Sequence, residues 1–139
     1  MTLSANQNNP EAQYHLGYIY ASGEFVKQDV NKGIHYLTLS ANQNNSDAQL
    51  TLGSIYYTDL FVERDVNKSI NYFTLSANQN NSEAQYNLGI VYFNGEFTSK
   101  DINKAIHYFT LSANQNNSEA HFMLGYIYSS GEFINKDIN

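Results

Sequence analysis

Apolar residues return along this chain on the spacing of a helix face. Ala12, Leu16, Ile19 and Tyr20 share one stripe, and Ala84, Leu88, Val91 and Tyr92 repeat it. A second stripe runs Val30, Ile34, Leu37, Ala41 and is matched by Ile102, Ile106, Phe109, Ala113. Between the stripes stand turn residues, Gly23, Gly95 and Gly131, with Asp59 in the corresponding slot of one copy. The pattern predicts pairs of amphipathic helices, each first helix closed by an αL residue and each second helix capped at its start by Asp29, Asp65 or Asp101.

The pairs keep a fixed period. The string TLSANQNN begins at Thr2, Thr38, Thr74 and Thr110, a constant step of 36 residues. Asn/Gln-rich tracts are otherwise a mark of disordered, aggregation-prone sequence, but drift does not hold such a spacing. The string reads as the end of a second helix (TLSA) followed by its cap and turn (NQNN). Asn44, Asn80 and Asn116 are the expected αL residues. Ser46 and Ser82, each with Gln at the third helical position, read as N-caps of a capping box, whereas Asn9 caps the first copy ahead of Pro10. A single array over residues 1–139 is expected, with full repeats at 10–45, 46–81 and 82–117 and partial ones at 1–9 and 118–139.

Such short amphipathic helices cannot bury their apolar faces alone, so neighbouring pairs must stack into an all-α solenoid. Gly17, Gly53, Gly89 and Gly125 lie inside first helices, where Gly costs roughly 1 kcal/mol relative to Ala. The penalty calls for close approach of a neighbouring helix, and the expected intruders are Tyr36, Tyr72 and Tyr108.

The segments AQYNLGIVYFNG, DINKAIHY and LSANQN resemble the Sel-1-like repeat, a relative of the tetratricopeptide repeats, over nearly the whole chain. The resemblance implies a right-handed superhelix of helix pairs that serves as a scaffold for protein complexes. Phe25, Phe61, Phe97 and Phe133 depart from the Gly–Val that the family favours after the turn, and Asn44 and its equivalents replace a Gly. A cysteine-rich branch of the family carries disulfides and has been linked to penicillin binding. This chain has no cysteine, and a hydrolase reading does not carry over.

Composition narrows the function further. A hydrophobic content of 42% with 14% aromatic residues is that of a folded domain. The net charge of −6, with seven scattered basic residues, argues against nucleic acid and anionic membranes as partners. No apolar run is long enough to span a bilayer. Zero cysteine fits a reducing compartment, and a cytoplasmic location is the expectation.

The first helices carry the candidate site. Glu11, His15, Tyr18 and Ser22 share a face, and the same positions read Asp47, Thr51, Ser54, Thr58; Glu83, Asn87, Ile90, Asn94; and Glu119, Met123, Tyr126, Ser130. A stripe whose chemistry changes from copy to copy is not fitted to its own neighbour. Tyr18, His15, Asn87, Ile90, Met123 and Tyr126 are therefore the candidates for contact with a partner protein or peptide. The other reading of the stripe is neutral variation on a solvated or partly packed face.

Other chemistry is thin. His15, His35, His107 and His121 form no adjacent pair suited to a metal, and the Asp row at 29, 65, 101 and 137 is accounted for by helix capping. There is no nucleophile–base signature, P-loop or dinucleotide fingerprint, so neither catalysis nor a cofactor is expected. Asn44, Asn67, Asn80 and Asn116 stand in N-x-S/T sequons, which in so Asn-rich a chain read as chance. The helix from Glu119 to Ser130 has no second helix after it in the sequence, so further repeats or end-to-end self-association are expected. A structural spacer within a larger polypeptide is the alternative to a binding scaffold.

Overall fold

The computed structural model describes residues 8–131. Seven helices follow one another there with no strand among the described residues: α1 (Pro10–Ser22), α2 (Val30–Asn42), α3 (Ser46–Thr58), α4 (Val66–Ala77), α5 (Ser82–Asn94), α6 (Ile102–Ala113) and α7 (Ser118–Ser130). The predicted roles of Phe133 and Asp137, and the opening residues of the first TLSANQNN copy, lie outside the described residues. The chain divides after Gln79 into two compact units, one holding α1 to α4 and the other α5 to α7.

The helix ends follow the sequence closely. Gly23, Gly95, Gly131 and Asp59 all adopt αL at the close of first helices, with φ between 59° and 71°. Asp59 holds this conformation while its Oδ1 accepts the Arg64 backbone N–H at 2.9 Å, a tether that no Gly could supply. Asn44, Asn80 and Asn116 are αL as expected. Asp29, Asp65 and Asp101 cap second helices by accepting from the N–H of Lys32, Lys68 and Lys104, each at 3.0 Å.

The caps of the later first helices lie one residue earlier than predicted. Asn45, Asn81 and Asn117 are the N-caps, each accepting at 2.9 Å from the N–H of Ala48, Ala84 or Ala120, while Ser46, Ser82 and Ser118 are already helical. Asn9 caps α1 in the same way. The side-chain oxygen must reach back from an extended residue to the third helical N–H, and that residue is Asn in every copy.

In the first unit Leu37, Ala41, Ala48, Leu52 and Ile55 form a buried cluster, with Tyr14, Ala21, Ile34, Tyr56, Val62 and Tyr72 packed around it. In the second, Ala105, Phe109, Ala113, Ala120 and Ile127 do the same. The helical glycines explain themselves by geometry. A Cβ on Gly17 would stand 2.8 Å from Leu37 Cγ, and one on Gly53 or Gly89 would stand 2.5 Å from the ring of Phe73 or Phe109. The intruding residue is thus Leu37, Phe73 or Phe109, one position beyond the expected tyrosines. Tyr36, Tyr72 and Tyr108 instead stack on Tyr20, Tyr56 and Tyr92, with ring centroids 6.2–6.3 Å apart. The amines of Lys32, Lys68 and Lys104 lie 4.6–4.9 Å from the centroids of those same first-helix rings, at cation–π distance.

The repeated octet also holds each pair closed. Its Ser hydroxyl donates to the first carbonyl of the preceding first helix: Ser40 to Pro10 at 2.6 Å, Ser76 to Ser46 at 2.9 Å, Ser112 to Ser82 at 2.8 Å. Its Gln reaches a Gln of that helix: Gln43 to Gln13, Gln79 to Gln49 and Gln115 to Gln85, at 2.7–2.9 Å. Gln13, Gln49 and Gln85 are each only 1% exposed, so these bonds satisfy buried amides that would otherwise destabilise the fold.

Candidate functional site

Tight packing of the Gly-bearing face of α1 and α3 against α2 and α4 leaves the varied stripe on another side. In the first unit that stripe frames a hollow. Tyr18, Ala21 and Ser22 from α1 meet Thr51, Ser54, Ile55 and Thr58 from α3, and Phe61 from the following loop closes one edge. The cavity measures about 260 Å³ and its walls are mostly carbon. Tyr18 stands at its rim, 46% exposed. One turn earlier on α1 Tyr14 is half-buried, and the Thr51 hydroxyl of α3 donates to the Asp47 carbonyl at 2.8 Å. Burial, followed by the nearby Asp47 charge, pushes the Tyr14 phenol above its ordinary pKa.

The second unit presents different chemistry at the stripe. Ser82, Glu83, Tyr86 and Asn87 of α5, with Asn117 and Glu119 at the start of α7, line a wider polar hollow of about 530 Å³. Burial and the Glu119 carboxylate together raise the Tyr86 phenol. Two carboxylates border this hollow without a lysine or arginine among its lining residues, which makes it suited to a cation.

The predicted contact residues distribute unevenly over these features. Tyr18 lines the apolar hollow and Asn87 the polar one. His15 is exposed beside Glu11, 4.0 Å from its carboxylate, and outside both hollows. Ile90 and Met123 are half-buried and pack against the core of the second unit. Tyr126 is exposed and meets the Phe93 ring edge-on, with centroids 6.2 Å apart. The sequence did not single out Ala21, Ile55, Phe61 or Tyr86. Phe61 did carry a signal, since it stands where a small pair of residues is usual after the turn. Among the described residues no group of three or more His, Asp or Glu side chains is placed to hold a metal, and no helix is long and apolar enough to cross a membrane.

The Sel1 repeat profile matches residues 10–45, 46–81, 82–117 and 118–139. The fold is similar to the crystal structure of a protective antigen present in uropathogenic Escherichia coli strains that displays an SLR fold. That similarity has a TM-score of 0.90 and 30% identity over 96% of this chain and 29% of the antigen. It is also similar to a Sel1 repeat protein from Oxalobacter formigenes, with a TM-score of 0.86 and 31% identity over 96% of this chain and 55% of that one. The chain therefore spans less than two thirds of either relative. Cysteine-rich protein B of Helicobacter pylori shares the fold at a TM-score of 0.66, with 17% identity over 86% of this chain and 96% of that protein. No curated protein matches the sequence. Proteins of Sel1 repeats are typically non-catalytic interaction scaffolds. With four matching repeats on an all-α helical-repeat fold, this chain belongs to the Sel1 repeat family.

Proposed function

We propose that this chain is a protein-interaction scaffold that holds a partner polypeptide on the varied face of its first helices. The hollow between α1 and α3 is the observation that carries this reading. At about 260 Å³ it is smaller than the roughly 300–1,000 Å³ of small-molecule sites and is suited to a single apolar side chain acting as an anchor. Tyr18 and Phe61 give it aromatic edges, the residue class that dominates binding energy at interfaces. The hollow bordered by Glu83 and Glu119 would select a lysine or arginine elsewhere on a partner, in keeping with the net charge of −6.

Ser54→Trp fills the apolar hollow from a half-buried helix position, and unchanged circular dichroism and urea midpoint show that the cluster behind Ile55 stays intact. A displayed peptide library selected on the native chain and counter-selected on this variant tests the reading. The expected peptides carry one apolar anchor and bind the variant at least about ten-fold more weakly, the equivalent of 1.4 kcal/mol. A library that yields no saturable binder dependent on the hollow would abandon this site and favour the spacer reading.

A further inference from the structure

The hollow between α1 and α3 has a filled counterpart in the second unit. The 36-residue period makes α5 and α7 the equivalents of α1 and α3. Where Ala21, Thr51 and Ser54 line the hollow, the same positions two repeats on carry Phe93, Met123 and Tyr126. Phe93 and Met123 pack against the core of their unit, and the Phe93 ring meets Tyr126 edge-on. The first unit thus has a methyl group, Ala21, where the second inserts a ring. An apolar cavity of roughly 150 Å³ is enough to take benzene. One of about 260 Å³ therefore admits a whole aromatic side chain.

The lining favours such a guest over a polar one. The hydroxyls of Ser22, Thr51 and Thr58 donate to the carbonyls of Ile19, Asp47 and Ile55 in their own helices, so their protons are already engaged. Tyr18 and Phe61 border the hollow with ring edges suited to edge-to-face contact. The rim adds a preference of charge. Glu11 and Asp47 are exposed on the same stripe, toward the helix N-termini, and neither α1 nor α3 contains a lysine or arginine. Asn45 donates to Glu11 at 2.9 Å and His15 lies 4.0 Å from it. Asp47 stands one turn from Thr51 at the edge of the hollow. Resting on the reading of this face as a partner site, we propose that the occupant is an aromatic side chain of a partner polypeptide segment with lysine or arginine beside it. The ring enters the notch over Ala21, and the cation meets Asp47.

The test selects phage-displayed random peptides on the native chain and counter-selects them on Ala21→Phe, which installs the ring that α5 already carries. Urea unfolding comes first. Ala21→Phe is expected to unfold at or above the native midpoint, and a lowered midpoint overturns the equivalence with Phe93. Recovered peptides are expected to share one Phe, Tyr or Trp with a nearby Lys or Arg. By fluorescence anisotropy they should bind about ten-fold or more weakly once Leu replaces the aromatic residue, and likewise to the Asp47→Lys chain. Peptides that need the hollow but bind through an aliphatic residue, or that bind Asp47→Lys unchanged, overturn this proposal and leave the scaffold reading standing. Recovery of no peptide that is lost on both Ala21→Phe and Ser54→Trp overturns the two together. The rival occupant is Phe25 of a second copy, 76% exposed in the loop after α1. A dimer in sedimentation that Ala21→Phe dissolves overturns the proposal in favour of that copy.

Discussion

At the scale of single residues, the same amino acid has opposite roles in neighbouring repeats. Gly89 admits the Phe109 ring to 2.5 Å of where a Cβ would lie, whereas Gly125 faces open space among the described residues. Gly89→Ala is expected to destabilise the chain by about 1–3 kcal/mol through overpacking. Gly125→Ala should stabilise it by up to about 1 kcal/mol through helix propensity. Urea denaturation of both variants checks the contrast. The caps allow a similar comparison: Asn117→Ala should cost about 1 kcal/mol, because Asn117 accepts the Ala120 N–H, while Ser118→Ala should be nearly neutral. The αL asparagines and glycines were legible because few residues tolerate positive φ. The caps were read one residue late because Ser and Asn are both good N-caps, and only the backbone turn decides which of two neighbours takes the role.

At the scale of helices and their pairs, the 36-residue period and the apolar stripes made the helix pairing legible. The bonds that hold each pair shut were not. Ser112 and Ser82, or Gln115 and Gln85, lie 30 residues apart, and nothing local in the sequence couples them. The same holds for the glycine notches, whose need for a neighbour was visible while its identity turned on one residue of helical rotation. Gln85→Ala removes the acceptor of Gln115 from a site only 1% exposed, and an expected loss of about 1–3 kcal/mol should appear in thermal or urea unfolding. Gln115→Ala, though at an exposed position, leaves the buried Gln85 oxygen without this donor and should cost a similar amount.

At the scale of the whole molecule, ionisation of tyrosine links pH to stability. Burial is the leading cause that raises both Tyr14 and Tyr86, with Asp47 and Glu119 adding to it. The folded chain therefore keeps these phenol protons to higher pH than the unfolded chain does. The stability they contribute is present below about pH 10, the ordinary tyrosine value, and is lost as pH rises through the folded pKa. Denaturation midpoints measured from neutral pH to beyond pH 10 should fall, and Tyr14→Phe with Tyr86→Phe should flatten part of the decline. The candidate site was only partly legible at this scale. Copy-to-copy variation marked the stripe, but it could not separate Tyr18 and Asn87, which border hollows, from Ile90 and Met123, which pack inward.

The engagement of Gln43, Gln79 and Gln115 by Gln13, Gln49 and Gln85 bears on how the protein ages. Amide side chains that could interlock between molecules into cross-β ladders are occupied within each helix pair. Thioflavin-positive fibrils should then form only after a pair opens, so their lag time should shorten in Gln85→Ala and lengthen under any ligand that clamps the helices together.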